Sequence, residues 1–182
     1  MDIKKTGIDV VDLSWGIDNN LILDNIGIQI HRGSFVGIIG PNGSGKTTLL
    51  RNMSTWFRPN TGAILLEGQD INTLSHKELS KKMAYVKQNF NTEFEFTALD
   101  LVLMGRTPYI SRFGNETRED LEKTQRAMEV TKVWDIKDRS ITCLSGGELQ
   151  RVMIARALAQ ETQILLMDEP ISNLDINHQI QI

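Results

Sequence analysis

Cysteine occurs once in this 182-residue chain, at Cys143, so there is neither an intramolecular disulfide nor a cysteine metal cluster to build on. A single thiol of this kind is expected to serve as a small buried apolar residue. Charge of one sign is not in excess either. The 20 basic and 23 acidic residues leave a net charge of −3, and the basic ones are scattered, which argues against a nucleic-acid duplex as partner. Apolar runs are short: none approaches the roughly 20 residues of a bilayer-spanning helix. The start, Met1-Asp2-Ile3-Lys4-Lys5, lacks the apolar stretch of a secretory signal, so a cytoplasmic location is expected. Internal repeats, heptad arrays and low-complexity tracts are missing too, which excludes long coiled-coil arms. What is there suffices for a folded core: 40% of the residues are hydrophobic and 24% charged, fitting one domain or two closely joined lobes.

Hydrophobic spacing divides the chain into an α/β core interrupted by a helical stretch. Val10 to Leu13, Ile22 to Ile30 and the apolar Ser34 to Gly40 predict strands. The last of these runs into a glycine-rich loop and then a helix over Thr47 to Trp56, with Leu49, Leu50, Met53 and Phe57 near helical spacing and Pro59 and Gly62 as stops. A short strand over Ala63 to Leu66 turns at Glu67-Gly68. Ser75-His76-Lys77-Glu78 has the capping-box pattern of a helix start, and Met83 to Val86 follows as a strand. Between Asn89 and Cys143 strand signals thin out, and helices are expected over Leu99 to Met104 and Glu116 to Trp134 around the loop Thr107 to Asn115. The core resumes with a helix over Gly146 to Ala159, carrying Leu149, Val152, Met153 and Ala157 on one face, and a buried-type strand over Gln163 to Met167. The expected division is residues 1–88 with 144–182 as the core and 89–143 as an inserted helical lobe.

Three pieces of this chain are suited to phosphate chemistry. Gly40-Pro41-Asn42-Gly43-Ser44-Gly45-Lys46-Thr47-Thr48 is a Walker A loop, in which glycines let backbone N–H groups turn inward around β- and γ-phosphates and the helix end adds positive potential. Lys46 supplies a point charge, and the Thr47 hydroxyl is a hard oxygen ligand of the kind Mg²⁺ takes. Ser145-Gly146-Gly147-Glu148 is a second capping box, whose glycines leave the amides of a helix start uncovered, so that end attracts an anion. Asp168 and Glu169 follow an apolar strand and fall at its C-terminal edge, where open α/β sheets bind ligands. A Walker A loop alone fits a kinase, a GTPase or a helicase equally. The absence of an Asn-Lys-x-Asp pattern counts against a GTPase.

Taken together, the glycine loop, Leu144-Ser145-Gly146-Gly147-Glu148 and Ile164-Leu165-Leu166-Met167-Asp168-Glu169 resemble the ATP-binding-cassette ATPases from about Val10 to the last residue. The resemblance implies a P-loop NTPase core of mixed sheet with an antiparallel β subdomain, plus a helical lobe. It also implies a head-to-tail homodimer sandwiching two ATP molecules, in which Ser145 to Glu148 bind the γ-phosphate held by the other copy. Asp168 then holds Mg²⁺ through water, and Glu169 orients and deprotonates the attacking water. Gln88, after Tyr85-Val86-Lys87, looks like the Q-loop glutamine that reaches Mg²⁺ and water; Lys87 stands where the family normally has proline. Ser172-Asn173-Leu174-Asp175 resembles the D-loop, with Ile171 in place of the usual threonine. For the adenine ring two positions compete, Trp15 and, counted from Leu23-Asp24-Asn25, Ile17; residues two apart on a strand share a side, and Trp15 is placed ahead.

Phe96 to Tyr109, including Leu103-Met104-Gly105-Arg106-Thr107-Pro108-Tyr109, is similar to ATPases of importers for ferric siderophores, haem and cobalamin. There Leu101, Val102 and Met104 would line either a groove for a membrane subunit or the lobe's own core. The implied protein is a peripheral ATPase at the cytoplasmic membrane face, partnered by permease subunits and indirectly by a binding protein, with the cargo unspecified. A soluble cassette ATPase of cluster assembly, DNA repair or translation is the alternative, and a fragment that only binds nucleotide a third. The family carries a further strand and a switch histidine beyond the D-loop. Only seven residues follow Asp175, and His178 lies too near it for that role. A C-terminally truncated ATPase that binds nucleotide but hydrolyses poorly is therefore expected. His31 and His76 are expected to be solvated.

Overall fold

A computed structural model describes residues 6–18, 20–88, 95–111 and 114–170. The chain divides into two compact units, residues 1–79 and 80–182.

The first unit is built on a long hairpin of β1 (Thr6–Ile17) and β2 (Asn20–His31). The antiparallel sheet is completed by β3 (Thr61–Leu66) and the two-residue β4 (Gln69–Asp70), in the order β2-β1-β3-β4. β3 and β4 join through Glu67 and Gly68, both with positive φ (53° and 83°), the backbone of a two-residue hairpin turn with the strand twist. Helix α1 (Lys46–Met53) lies between β2 and β3 in sequence. Leu49, Leu50 and Met53, the positions singled out by helical spacing, are buried with Ile8, Val10, Leu13, Leu23, Ile64 and Leu66. The helix stops before Phe57: Thr55 takes a left-handed φ of 62°, and the Trp56 and Phe57 amides both return to the Arg51 carbonyl. Phe57 instead stacks on Trp15, ring centroids 4.5 Å apart.

The apolar run ahead of the glycine loop does not become a strand. Residues 34–40 make no strand pairing among the described residues, and Phe35 (101%) and Ile39 (97%) are fully exposed. Strand propensity alone does not hold a strand; a ladder needs a neighbour, and neither described sheet offers one to this segment.

The second unit holds β5 (Met83–Val86) and β6 (Ile164–Met167), paired in parallel from Met83↔Ile164 to Val86↔Met167. Packed with them are α3 (Ala98–Leu103), α4 (Arg118–Val130) and α5 (Gly146–Ala159). The short α2 (His76–Ser80) leads in from the first unit, capped reciprocally by Ser75 and Glu78 as the sequence suggests. One apolar core joins the strands to the helices through Ala84, Val86, Leu101, Val102, Met128, Val152 and Ala155. α5 is buried on more than the single face expected, with Gln150, Ile154 and Ala159 covered as well. Leu101 and Val102 belong to this core and Met104 packs against it, so of the two roles open to them lobe packing is the one observed.

The Leu103–Tyr109 segment ties these helices together. A Cβ on Gly105 would lie 2.3 Å from the Arg156 carbonyl oxygen of α5, so only glycine admits this approach. The buried Arg106 guanidinium donates to Asp120 (2.9 Å) and to the Ala159 carbonyl (2.7 Å), and lies 4.0 Å from the Tyr109 ring centroid. The Tyr109 hydroxyl donates to the Gln160 carbonyl. The ends of α3, α4 and α5 are thus pinned by one cation.

Candidate nucleotide site

In the first unit, the glycine loop passes into α1 through Gly43 (φ 82°) and Gly45 (φ 90°), which precedes the first helical residue. Left-handed backbone at Gly45 is combined with close packing: a Cβ there would meet Leu23 Cδ2 at 2.9 Å and the Ile22 carbonyl at 3.3 Å. The loop is closed by a Ser44 N–H to Pro41 carbonyl bond, and the Lys46 ammonium donates to the Gly40 and Pro41 carbonyls at 2.8 and 2.9 Å. Residues 41–44 are exposed and 45–48, including Thr47 and Thr48, half-buried. No side chain caps the start of α1, where helix geometry turns the first backbone amides away from the helix's own carbonyls.

Trp15 and Ile17 do not share a side. Register shifts around Trp15 break the alternation of β1, leaving Trp15 7% exposed against Phe57 and Ile17 52% exposed. His31 ends β2 half-buried, with a buried Nδ1 that has no hydrogen-bond partner, rather than solvated as expected; His76 is exposed.

In the second unit, Gln88 and the two acids stand at the same end of the parallel pair. Gln88 follows β5 by two residues, and Asp168 and Glu169 follow β6 directly. Asp168 is buried (4% exposed); its N–H donates to the Val86 carbonyl, and its Oδ2 accepts from the Tyr85 hydroxyl at 3.2 Å. Glu169 is exposed, has a left-handed φ of 46°, and accepts a hydrogen bond from the Gln88 amide nitrogen. One carboxylate is thus locked into the sheet edge and the other held on the surface by a glutamine.

The third piece, also in the second unit, is the start of α5. Ser145 caps it: its Oγ accepts from the Glu148 N–H (3.3 Å), while Glu148 Oε2 accepts from the Ser145 N–H and hydroxyl, both at 2.8 Å. Those bonds, with Arg139 alongside, hold the Glu148 carboxyl below its ordinary range. Ser145 and Gly146 are exposed, Gly147 and Glu148 half-buried. Cys143 is exposed, contrary to its expected burial, because the 3-10 turn Ile141–Cys143 spends its one buried position on Ile141. Sequence reasoning missed Tyr85 and Arg139; both are noticed only once β5 meets β6 and the 3-10 turn meets α5. Ser172 to Asp175 and His178 lie outside the described residues.

Asp168 and Gln88 in the second unit, and separately Thr47 in the first, each carry a side-chain oxygen of the kind a small hard cation takes. Among the described residues no group of three or more His, Cys, Asp or Glu could hold a metal by itself.

Residues 23–172 match the family described as ABC transporter. A cobalamin import ATP-binding protein of Halobacterium salinarum is 45% identical over 96% of this chain and 43% of its own length. The ferric enterobactin transport ATP-binding protein of Escherichia coli is 40% identical over 93% of this chain and 63% of its own. A solved ATP-binding cassette of an ABC transporter, in its ADP conformation, superposes with a TM-score of 0.83 at 26% identity, over 97% of this chain and 73% of that one. The chain spans 43% and 63% of the length of these two curated relatives.

Proposed function

Since this chain belongs to the ABC transporter family, with the P-loop NTPase fold of its solved relatives, we propose that it binds and hydrolyses ATP to power import of a metal chelate through membrane permease subunits. The relatives named for cobalamin and ferric enterobactin support that substrate class. The observation that carries the chemistry is the junction after β5 and β6, with Asp168 buried and Glu169 exposed beside Gln88.

In this reading residues 1–88 and 144–182 form the nucleotide-binding core and 89–143 the lobe. Amides of residues 40–48 and the Lys46 ammonium receive the β- and γ-phosphates, Lys46 exchanging its present bonds to the Gly40 and Pro41 carbonyls for phosphate oxygens. The adenine lies against the exposed Ile17 rather than the packed Trp15. Thr47, Asp168 and Gln88 would hold Mg²⁺, whose charge offsets that developing on the phosphates. Glu169 takes a proton from water as its oxygen attacks the γ-phosphorus and the bond to ADP breaks. Two copies pair head to tail, the α5 start at Ser145 to Glu148 and Asp175 of one meeting the nucleotide of the other. Hydrolysis reopens the pair, and the protein works peripherally at the cytoplasmic membrane face; among the described residues no helix is long and apolar enough to cross a membrane.

The test is reconstitution of the full-length protein with its membrane subunits and a binding protein. Ferric siderophores, haem and cobalamin are screened for stimulated ATP hydrolysis and vesicle uptake. Stimulation by one of these chelates is the expected outcome; turnover indifferent to all of them, with no uptake, would refute import.

A further inference from the structure

The start of α5 contains an electrostatic contradiction. Its first-turn carboxylate, Glu148, favours the helix because it complements the positive end of the dipole. The same carboxylate opposes a second anion arriving at that end. The structure supplies a compensating cation from outside the helix. Arg139 Nη1 donates to Glu148 Oε1 at 3.0 Å, on the carboxylate oxygen the cap does not use, and Nη2 donates to the Cys143 carbonyl at 2.8 Å. One planar fork therefore spans the turn before α5 and its first turn.

Arg139 is itself held. Its N–H donates to the Ile136 carbonyl, and its carbonyl accepts from the Ala98 N–H at 3.0 Å, at the start of α3. Leu99 N–H to Lys137, Ile141 N–H to Phe96, and the antiparallel bridge Thr97↔Ser140 continue the same seam. Thr97 and Asp100 close a capping box at its far side. The residues entering α3 and those entering α5 are thereby joined, with Arg139 at the joint.

We propose that Arg139 is a positioning residue for the nucleotide-facing end of α5: it neutralises Glu148 and fixes the Cys143–Gly147 turn so that the helix start accepts a phosphate. The proposal rests on the reading above, in which that end meets the partner copy's nucleotide. An ordinary half-exposed ion pair contributes little to stability, so the role is distinguished by what Glu148 does once Arg139 is gone.

The experiment measures MgATP-dependent pairing of the full-length protein, by light scattering, in a Glu169→Gln background. It compares Arg139→Ala, Arg139→Lys and the double variant Arg139→Ala/Glu148→Gln, each with its melting temperature. Arg139→Ala is expected to raise the MgATP concentration for half-maximal pairing on the order of tenfold, about what an unneutralised neighbouring charge is worth. Arg139→Lys, which keeps the charge but not the fork, should fall between it and the parent. Removing the Glu148 charge in the double variant should restore most of the loss, with little change in melting temperature across the set. A double variant as defective as Arg139→Ala, or pairing losses that track melting temperature, would overturn the proposal. A parental protein that never pairs at saturating MgATP would instead remove the reading beneath it, and this inference with it.

Discussion

Glu169 combines its proposed chemical role with an unfavourable backbone. A non-glycine residue at φ 46° gives up roughly 1 kcal/mol relative to the right-handed regions, and its side chain, being exposed, contributes little packing in return. Glu169→Gly is accordingly expected to raise unfolding stability by about 0.5–1 kcal/mol while turnover falls. Glu169→Gln keeps the backbone and removes only the base, and is expected to lower kcat by about 10²- to 10⁴-fold. Denaturant unfolding and steady-state ATPase assays on both variants separate the two effects, and a Gln variant with unchanged turnover would remove Glu169 from the chemistry. Gly45 is the opposite case, a residue whose missing side chain is the requirement. Gly45→Ala must place a Cβ at φ 90° and 2.9 Å from Leu23, so nucleotide affinity measured by calorimetry is expected to fall at least tenfold together with stability. These residue types were legible in the sequence because loop and strand end carry distinctive patterns. Which of Trp15 and Ile17 is exposed was not, since it follows from shifts in the β1–β2 pairing that local alternation does not encode.

Among the elements, the capping boxes at α2, α3, α4 and α5 share one design, a Thr or Ser with an acid three residues on. Ser145→Ala should cost about 1 kcal/mol, read by chemical denaturation, through the lost α5 cap. The α4 box is special because its acid serves twice. Asp120 accepts from Thr117 and from the buried Arg106, and those partners bring its pKa from 3.8 down to about 2. A carboxylate with a lowered folded-state pKa stabilises above its unfolded value and loses that contribution as pH falls toward the folded one. The stability it supplies is thus complete above about pH 4 and gone near pH 2. Asp120→Asn should flatten the acid limb of the pH–stability curve across that window, whereas Arg106→Ala, which strands a buried carboxylate, should cost about 3–5 kcal/mol at neutral pH. The sequence announced the described α-helices and the strands β3, β5 and β6, together with the middles of β1 and β2, because each satisfies a local period or cap. It could not announce that Arg106 closes the bundle, a fact made by contacts to Asp120 and Ala159 far along the chain.

At the scale of the whole molecule the clearest departure from expectation is the stretch 34–40, apolar, suited to a strand, and open to solvent. Exposed segments of this composition template pairing between chains. The isolated 182-residue chain is therefore expected to self-associate with rising concentration, and Phe35→Lys to lower the associated fraction seen by sedimentation velocity; unchanged association would locate the cause elsewhere. Strand character was readable from residue type, but whether a partner strand is present is a property of the sheet as a whole. Cys143 offers a different kind of opportunity. As the chain's one thiol, accessible and immediately before Leu144, it accepts a spin label without prior removal of competing cysteines. Label-to-label distances in a mixture with MgATP would then report directly, with a ruler native to the protein, how far apart two α5 ends come to rest.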